Sequence, residues 1–334
     1  MLTRVLSFCG LALVVTLACC GQPITIGVAH TPLRFGGPGG LVTVGDAAAR
    51  TLEVGPGHPL KLPSQAARSV GDGDTVLIDP GDYDDCAVWR ANRLTIAAQA
   101  PGVVFTGKTC QGKAIFVIDG NDVTVRGITF THAAVPDHNG AGIRAEGGNL
   151  TVEDSHFIDD EEGILTGMPG LSTLRVVNSE FRGNGTCIAQ CAHGIYAGHI
   201  GLLEVEDSRF TDTKEGHDIK SRALHTVLHG NDISDGPDGH ASYLVDVPNG
   251  GDLLMERNTL SKGPHTDNST TAVAIGEEGV SNPTASLVIR GNSFTNLLPG
   301  RTDFVHNQTE TPAELIGNKL TGQVVPLEGP GTVR

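Results

Sequence analysis

The sequence predicts an all-β chain wound as a parallel solenoid, short strands stacking coil upon coil. Three observations carry that prediction. A unit of apolar, any, apolar, four variable residues and a large apolar residue recurs from residue 123 to residue 320. A Ser or Asn stands two residues before the large apolar residue in seven of the eight units. Glycine is abundant, 45 of 334 residues, while aromatic residues make up 4%.

The repeat reads Val123-Thr-Val125…Phe130, Leu150-Thr-Val152…Phe157, Leu174-Arg-Val176…Phe181 and Leu203-Glu-Val205…Phe210. It continues as Thr226-Val-Leu228…Ile233, Leu253-Leu-Met255…Leu260, Leu287-Val-Ile289…Phe294 and Ala313-Glu-Leu315…Leu320. Successive large positions are 27, 24, 29, 23, 27, 34 and 26 residues apart. Alternation of period two gives short strands with one face inward. A recurrence on this scale means that each unit buries its apolar face on its neighbours. Coils then stack at the inter-strand spacing of about 4.8 Å. The polar column Ser155, Ser179, Ser208, Asn231, Asn258, Asn292 and Asn318 falls at a bend, where side-chain amides can hydrogen-bond up the stack. Leucine-rich repeats are excluded because their LxxLxLxxN spacing is absent, and a propeller because the chain has one Trp.

Composition closes off other classes. Glycine is about twice its ordinary usage, and with no Gly-X-Y period it marks turns, not collagen. Leu, Ile, Val and Ala are plentiful enough to exclude disorder over most of the length. A net charge of −15 argues against a nucleic-acid partner, since phosphate contacts need a basic surface.

In chain order, residues 1–20 read as an export signal: Arg4 precedes an apolar run, Val5 to Ala18, too short to span a bilayer. Leu17-Ala18-Cys19 loosely resembles a bacterial lipoprotein cleavage site, but Thr16 stands where Leu is usual, so export is the preferred reading and a lipid anchor at the new N-terminus the alternative. Residues 21–50, with Gly36-Gly37-Pro38-Gly39-Gly40, read as a flexible segment; residues 51–322 as one solenoid domain, expected to be monomeric; and residues 323–334, with Pro326, Gly329, Pro330 and Gly331, as a frayed tail. Export makes Cys86, Cys110, Cys187 and Cys191 candidates for disulfides. Cys187 and Cys191 could close a small loop, and Cys86 and Cys110 lie about one repeat apart. No CxxC or HExxH spacing supports zinc.

Each coil carries a second strand, and its alternation places the candidate chemistry. With Ile143, Ile164, Ile195, Ile219 and Val245 inward, their followers Arg144, Leu165, Tyr196, Lys220 and Asp246 form an outward column, with Asp218 beside it. His193, His217, Ser221 and Arg222 flank that column. The alternative is a solvated face of ion pairs, worth little. Asp159-Asp160-Glu161-Glu162 reads as a solvated acidic loop.

Gly73-Asp74-Thr75-Val76-Leu77-Ile78-Asp79-Pro80-Gly81-Asp82-Tyr83 resembles the opening coil of right-handed parallel β-helix proteins of the pectate-lyase-like superfamily. Pro63 to Arg68 resembles the short N-terminal capping helix of that group, which covers an open strand edge. The resemblance spans about residues 50–322 and implies a single-stranded right-handed parallel β-helix. Glu215-x4-Lys220-Ser221 resembles an element of the alginate lyase and chondroitinase B family, implying a Ca²⁺ ligand at Glu215 and a base at Lys220. The chain departs from that family at Thr213, where a second acidic ligand is expected, and in Ser242–Gly251, which lacks its Arg-His pair. His193–Tyr196, Gly216–Arg222, Asp246–Gly251 and Gly276-Glu277-Glu278-Gly279 are similar to an exported bacterial β-helix group of unassigned activity.

The expected function is a polysaccharide lyase acting by β-elimination on an acidic glycan. Lys220 would abstract the proton, assisted by Arg222, His217 or Tyr196, with His193, Arg144 and Asn249 binding sugar. For an acidic protein to take a polyanion, either Ca²⁺ bridges the two or Lys220 and Arg222 form a basic island. Two alternatives stand beside it: a glycoside hydrolase using Asp218 and Asp246, which lacks the Asn-Thr-Asp and Gly-His-Gly signature of polygalacturonases, and a non-catalytic glycan-binding or envelope-structural solenoid.

Overall fold

The computed structural model describes residues 48–167, 170–188 and 190–334. The expected export signal, the lipid-anchor cysteine and nearly all of the 21–50 segment lie outside these residues. The described chain is a parallel β-solenoid with three long sheets, beside a two-stranded antiparallel pair, Thr186–Cys187 with Cys191–Ala192. The first has twelve strands, from Thr51–Val54 to Gly331–Val333; the second has ten, from Gly81–Tyr83 to Lys319–Thr321. The third also has ten, from Ala87–Trp89 to Val324–Glu328. One coil visits them in turn, as in Val123–Arg126, Ile128–Thr131 and Ala141–Ala145.

The repeat positions stack in register. Val123 lies on Leu150 and Val125 on Val152, and those two lie on Leu174 and Val176. In the second sheet Phe130, Phe157, Phe181 and Phe210 follow one another, with ring centroids 5.2, 4.7 and 4.6 Å apart. That is the strand spacing itself, so each ring packs flat on the next and the core is an aliphatic and aromatic column sealed from water. The column begins earlier than the repeat pattern showed: Tyr83 and Phe105 precede Phe130 in register. Close packing of these rings explains why two third-sheet strands, Ala141–Ala145 and Glu162–Thr166, carry glycine at their second position. A Cβ on Gly142 would fall 2.7 Å from the Phe157 ring, and one on Gly163 2.8 Å from the Phe181 ring.

The polar column forms a continuous ladder. The Ser155 N–H donates to Ser179 Oγ, the Ser179 N–H to Ser208 Oγ, and the Ser208 N–H to Asn231 Oδ1. From Asn231 onward each Asn donates its N–H and its Nδ2 to the Oδ1 of the next, through Asn258 and Asn292 to Asn318, at 2.9–3.0 Å. The residue before each rung is left-handed: Asp154, Asn178, Asp207 and Arg257, with Gly230, Gly291 and Gly317, at φ of 47–69°. Gly and Asx tolerate that conformation best, which accounts for part of the glycine excess.

The helix expected over Pro63–Arg68 spans Pro63–Ala67, with Ala66 buried against the first coil. Both disulfides form, Cys86–Cys110 and Cys187–Cys191. Residues 323–334 do not fray. Val324–Glu328 and Gly331–Val333 add further strands, pairing with Thr302–Asn307 and Ala313–Ile316. The preceding coil offers open backbone partners, and in an edge strand the N–H that Pro326 lacks costs no ladder bond. The acidic stretch 159–162 also departs from expectation: Asp160 and Glu162 are buried, and Asp160 accepts the Ala133 N–H at 2.7 Å. Among the described residues no helix is long and apolar enough to cross a membrane.

Candidate active site

The outer side chains of the third sheet point away from the core, several of them, including Leu165, Lys220 and Asp246, still covered, and the register of the sheet sets the site. Arg144 pairs with Leu165, Leu165 with Tyr196, Tyr196 with Lys220 and Lys220 with Asp246. The intervening Ile143, Ile164, Ile195, Ile219 and Val245 are fully buried in the core. The expected outward column is therefore the observed one. It continues through Ala274, His306 and Glu328.

A second column forms a wall beside it. The rings of His193 and His217 stack at 4.8 Å and those of His217 and Tyr243 at 5.1 Å. The His217 N–H donates to His193 Nδ1 and the Tyr243 N–H to His217 Nδ1, each at 3.1 Å. Those bonds assign the proton of each neutral ring to Nε2. His217 Nε2 then faces Asp246 Oδ2 at 3.3 Å. Burial, reinforced by Lys220, pulls His217 down to about 3; burial and His217 pull His193 well below the usual range. Both rings are neutral donors at pH 7.

The charged centre lies across from that wall. Lys220 Nζ is 3.1 Å from Asp246 Oδ2 and 2.6 Å from Glu278 Oε1, and Arg222 Nη2 is 2.6 Å from Glu278 Oε2. Arg222 Nε donates to the Tyr196 hydroxyl at 2.8 Å, and its Nη1 donates to Asn249 Oδ1. Burial opposes the charge on Lys220, but Asp246 and Glu278 outweigh it and hold the ammonium above its usual value. Glu278 is held low by Lys220 and Arg222 against its partial desolvation. Asp246 is pushed far above the carboxylate range by burial and by the adjacent Glu277, against the pull of Lys220. Gln190 and Cys191 of the disulfide loop, with His193, Tyr196, His217, Lys220 and Arg222, enclose a groove of about 300 Å³. A larger concavity of about 380 Å³ on the first sheet, around Val227, Leu254 and Val288, is lined by His225, Asp252 and Arg290 but by no lysine or tyrosine.

Three expected site residues stand elsewhere. Asp218 is fully buried and turned toward Thr213, whose hydroxyl donates to it at 2.6 Å, and toward Asp235 and Lys262. The strand begins only at Ile219, so the coil corner aims Asp218 away from the outer face. It forms no pair with Asp246, and the hydrolase reading loses its two carboxyls. Glu215 accepts the Cys187 N–H at 2.6 Å, bracing the disulfide loop at the rim of the groove. Arg144 pairs with Glu146 at 3.3 Å, two register steps from Tyr196. The sequence did not reveal Gln190 and Cys191 as a wall, Tyr243 as the end of the ring stack, or Glu278 as the bridge between Lys220 and Arg222.

The metal expectation is tested by the same atoms. Carboxylate oxygens of Asp246, Glu277 and Glu278 lie within 4.8 Å of one another, and Asp246 Oδ1 and Glu277 Oε2 are buried without a hydrogen-bond partner. Hard oxygens suit Ca²⁺. The set already holds a cation of its own, the Lys220 ammonium, so a metal would have to displace that charge. Glu215 is not among these oxygens.

No protein-family profile matches the chain, and no curated protein matches it. Solved structures do resemble it. An alginate lyase from Paenibacillus sp. str. FPU-7 is 14% identical with a TM-score of 0.47, covering 85% of this chain and 99% of its own. Pectate lyase Pel9A is 14% identical with a TM-score of 0.44, covering 84% of this chain and 79% of its own. The Azotobacter vinelandii mannuronan C-5 epimerase AlgE6 A-module is 15% identical with a TM-score of 0.33, covering 81% of this chain and 92% of its own.

Proposed function

We propose that this chain is an exported, monomeric carbohydrate-active enzyme, a polysaccharide lyase that cleaves an acidic glycan by β-elimination. The observation that carries the reading is the convergence of Lys220, Arg222 and Tyr196 on one groove of an otherwise acidic molecule. β-Elimination needs a cation on the substrate carboxylate, a base for the proton α to it and an acid for the departing glycosidic oxygen. Arg222, supported by Asn249, serves the carboxylate. The Lys220 amine takes the proton, and the electron pair of the C–H bond becomes the new C=C as the C–O bond breaks. The Tyr196 hydroxyl, one register step from Lys220, protonates the leaving oxygen. His217 and His193 donate Nε2 hydrogens along the groove wall and hold the sugar. The disulfides accord with an oxidising compartment, and the apolar run at residues 5–18 with export.

A second reading rests on a specific observation. Lys220 is held as an ammonium between Asp246 and the Glu278 carboxylate, and a lysine in that state binds anions without acting as a base. The same groove would then be a non-catalytic glycan site. Incubation with a panel of acidic polysaccharides separates the two. A lyase releases products whose conjugated double bond absorbs in the ultraviolet. A binding protein retards the polymer and releases nothing.

A further inference from the structure

The bridge from Glu278 to the two cations bears on how any acidic ligand reaches them. We infer that Lys220 and Arg222, the latter held by Asn249, form a carboxylate-binding subsite occupied in the free protein by the chain's own Glu278, so that an acidic sugar enters by displacing that side chain. The inference rests on the acidic-glycan reading above and adds its competing internal ligand.

The geometry is that of a bound carboxylate. One Glu278 oxygen lies 2.6 Å from Lys220 Nζ and the other 2.6 Å from Arg222 Nη2, the two-point arrangement in which cations grip a carboxylate. Glu278 comes from 56 and 58 residues downstream of these partners, so the contact is made across coils and not within a turn.

Exposure shows which partner can leave. The Glu278 side chain is 42% exposed, whereas Lys220 and Arg222 are 10% and 16% exposed and Asp246 is 1% exposed. The cations and Asp246 belong to the sheet face, and Glu278 lies over them. Its backbone is fixed: the Glu278 N–H donates to the Pro248 carbonyl at 3.0 Å, and Asn249 Nδ2 donates to the Gly279 carbonyl at 3.2 Å. Displacement therefore requires rotation of one side chain, with no opening of the loop. Removing Glu278 also leaves Asp246 as the one acidic side chain on Lys220. Burial and Glu277 already favour the neutral form of Asp246, so an emptied subsite relaxes the hold on the lysine proton.

The test compares wild type with Glu278→Gln by titration calorimetry, using tetragalacturonate, tetramannuronate and neutral cellotetraose as probes. Glu278→Ala serves as a second variant, and melting curves establish that each is folded. The expected result is that both variants bind an acidic tetrasaccharide about tenfold more tightly than wild type, the scale of a partly exposed charge-assisted contact, with no gain for cellotetraose. Nitrogen-detected NMR of Lys220 should show its proton released at lower pH in Glu278→Gln. Acidic binding that is equal or weaker in both variants overturns the inference and leaves the acidic-glycan reading standing. Failure of every protein to bind either acidic probe overturns that reading, and the inference with it.

Discussion

His217 offers a quantitative test of how the site is built, because its tautomer, burial and neighbours are all specified. The perturbation is His217→Gln. The neutral ring has a folded value of about 3 against 6.5 for an unperturbed histidine. A folded value below the unfolded one means that the unfolded chain binds the extra proton. Stability from this group is present above about pH 6.5 and is lost as pH falls toward the folded value. Between pH 7 and pH 5 the linkage relation gives a loss of about 2 kcal/mol from His217 alone. The assay is urea unfolding of wild type and variant at both pH values, with the slopes compared to establish that the same surface is exposed. The variant starts less stable, having lost the ring stack on His193 and Tyr243, but it should lose about 2 kcal/mol less than wild type over this interval. His193 and the buried carboxyls titrate in both proteins and largely cancel in the difference. Equal losses in the two proteins would refute the picture of His217 as a buried neutral ring facing Asp246.

Other consequences are as direct. Phe181→Ala removes a ring stacked at 4.7 and 4.6 Å on its neighbours and should cost about 3–5 kcal/mol in urea unfolding; a cost under about 1 kcal/mol would mean that the column is not tightly packed. Asn258→Ala strips Asn231 of the acceptor for both its N–H and its Nδ2 and should cost about 1–3 kcal/mol, more than Asn318→Ala at the half-exposed end of the ladder; the reverse order would argue against a cooperative ladder. Lys220→Ala removes the cation lying between Asp246 and Glu278 while Arg222 still holds one Glu278 oxygen, so Ca²⁺ should raise the melting temperature of the variant and leave wild type unchanged. A Ca²⁺ shift in wild type would show that a metal displaces Lys220.

The architecture was legible because solenoid order is local and additive. Period-two alternation fixed which way Ile219 and Lys220 point, and the recurrence from coil to coil fixed that Tyr196, Lys220 and Asp246 lie side by side. The same alternation misplaced Asp218, because it was carried one residue beyond the start of the strand, into a corner where the chain turns inward. Glu278 was hidden for a different reason. Its contacts with Lys220 and Arg222 cross coils of unequal length, and no spacing rule predicts where a loop such as Gly276–Gly279 will fall. Glu215 lies in a local motif that here meets a disulfide loop, whose Cys187 N–H donates to the carboxylate, a contact the motif alone does not show. The final strands were missed because Pro and Gly suggest fraying, while the open edge of a stack supplies partners that composition alone cannot show.

The most direct test of the central claim is ultraviolet absorbance during incubation with alginate, polygalacturonate and glycosaminoglycans, using wild type and Lys220→Ala in parallel. The account predicts unsaturated product from at least one acidic polymer with wild type, and a rate lowered by about 10²–10⁴-fold in the variant, the scale of lost general-base catalysis. An unchanged rate in Lys220→Ala, or neither unsaturated product nor new reducing ends across the whole panel, would contradict it.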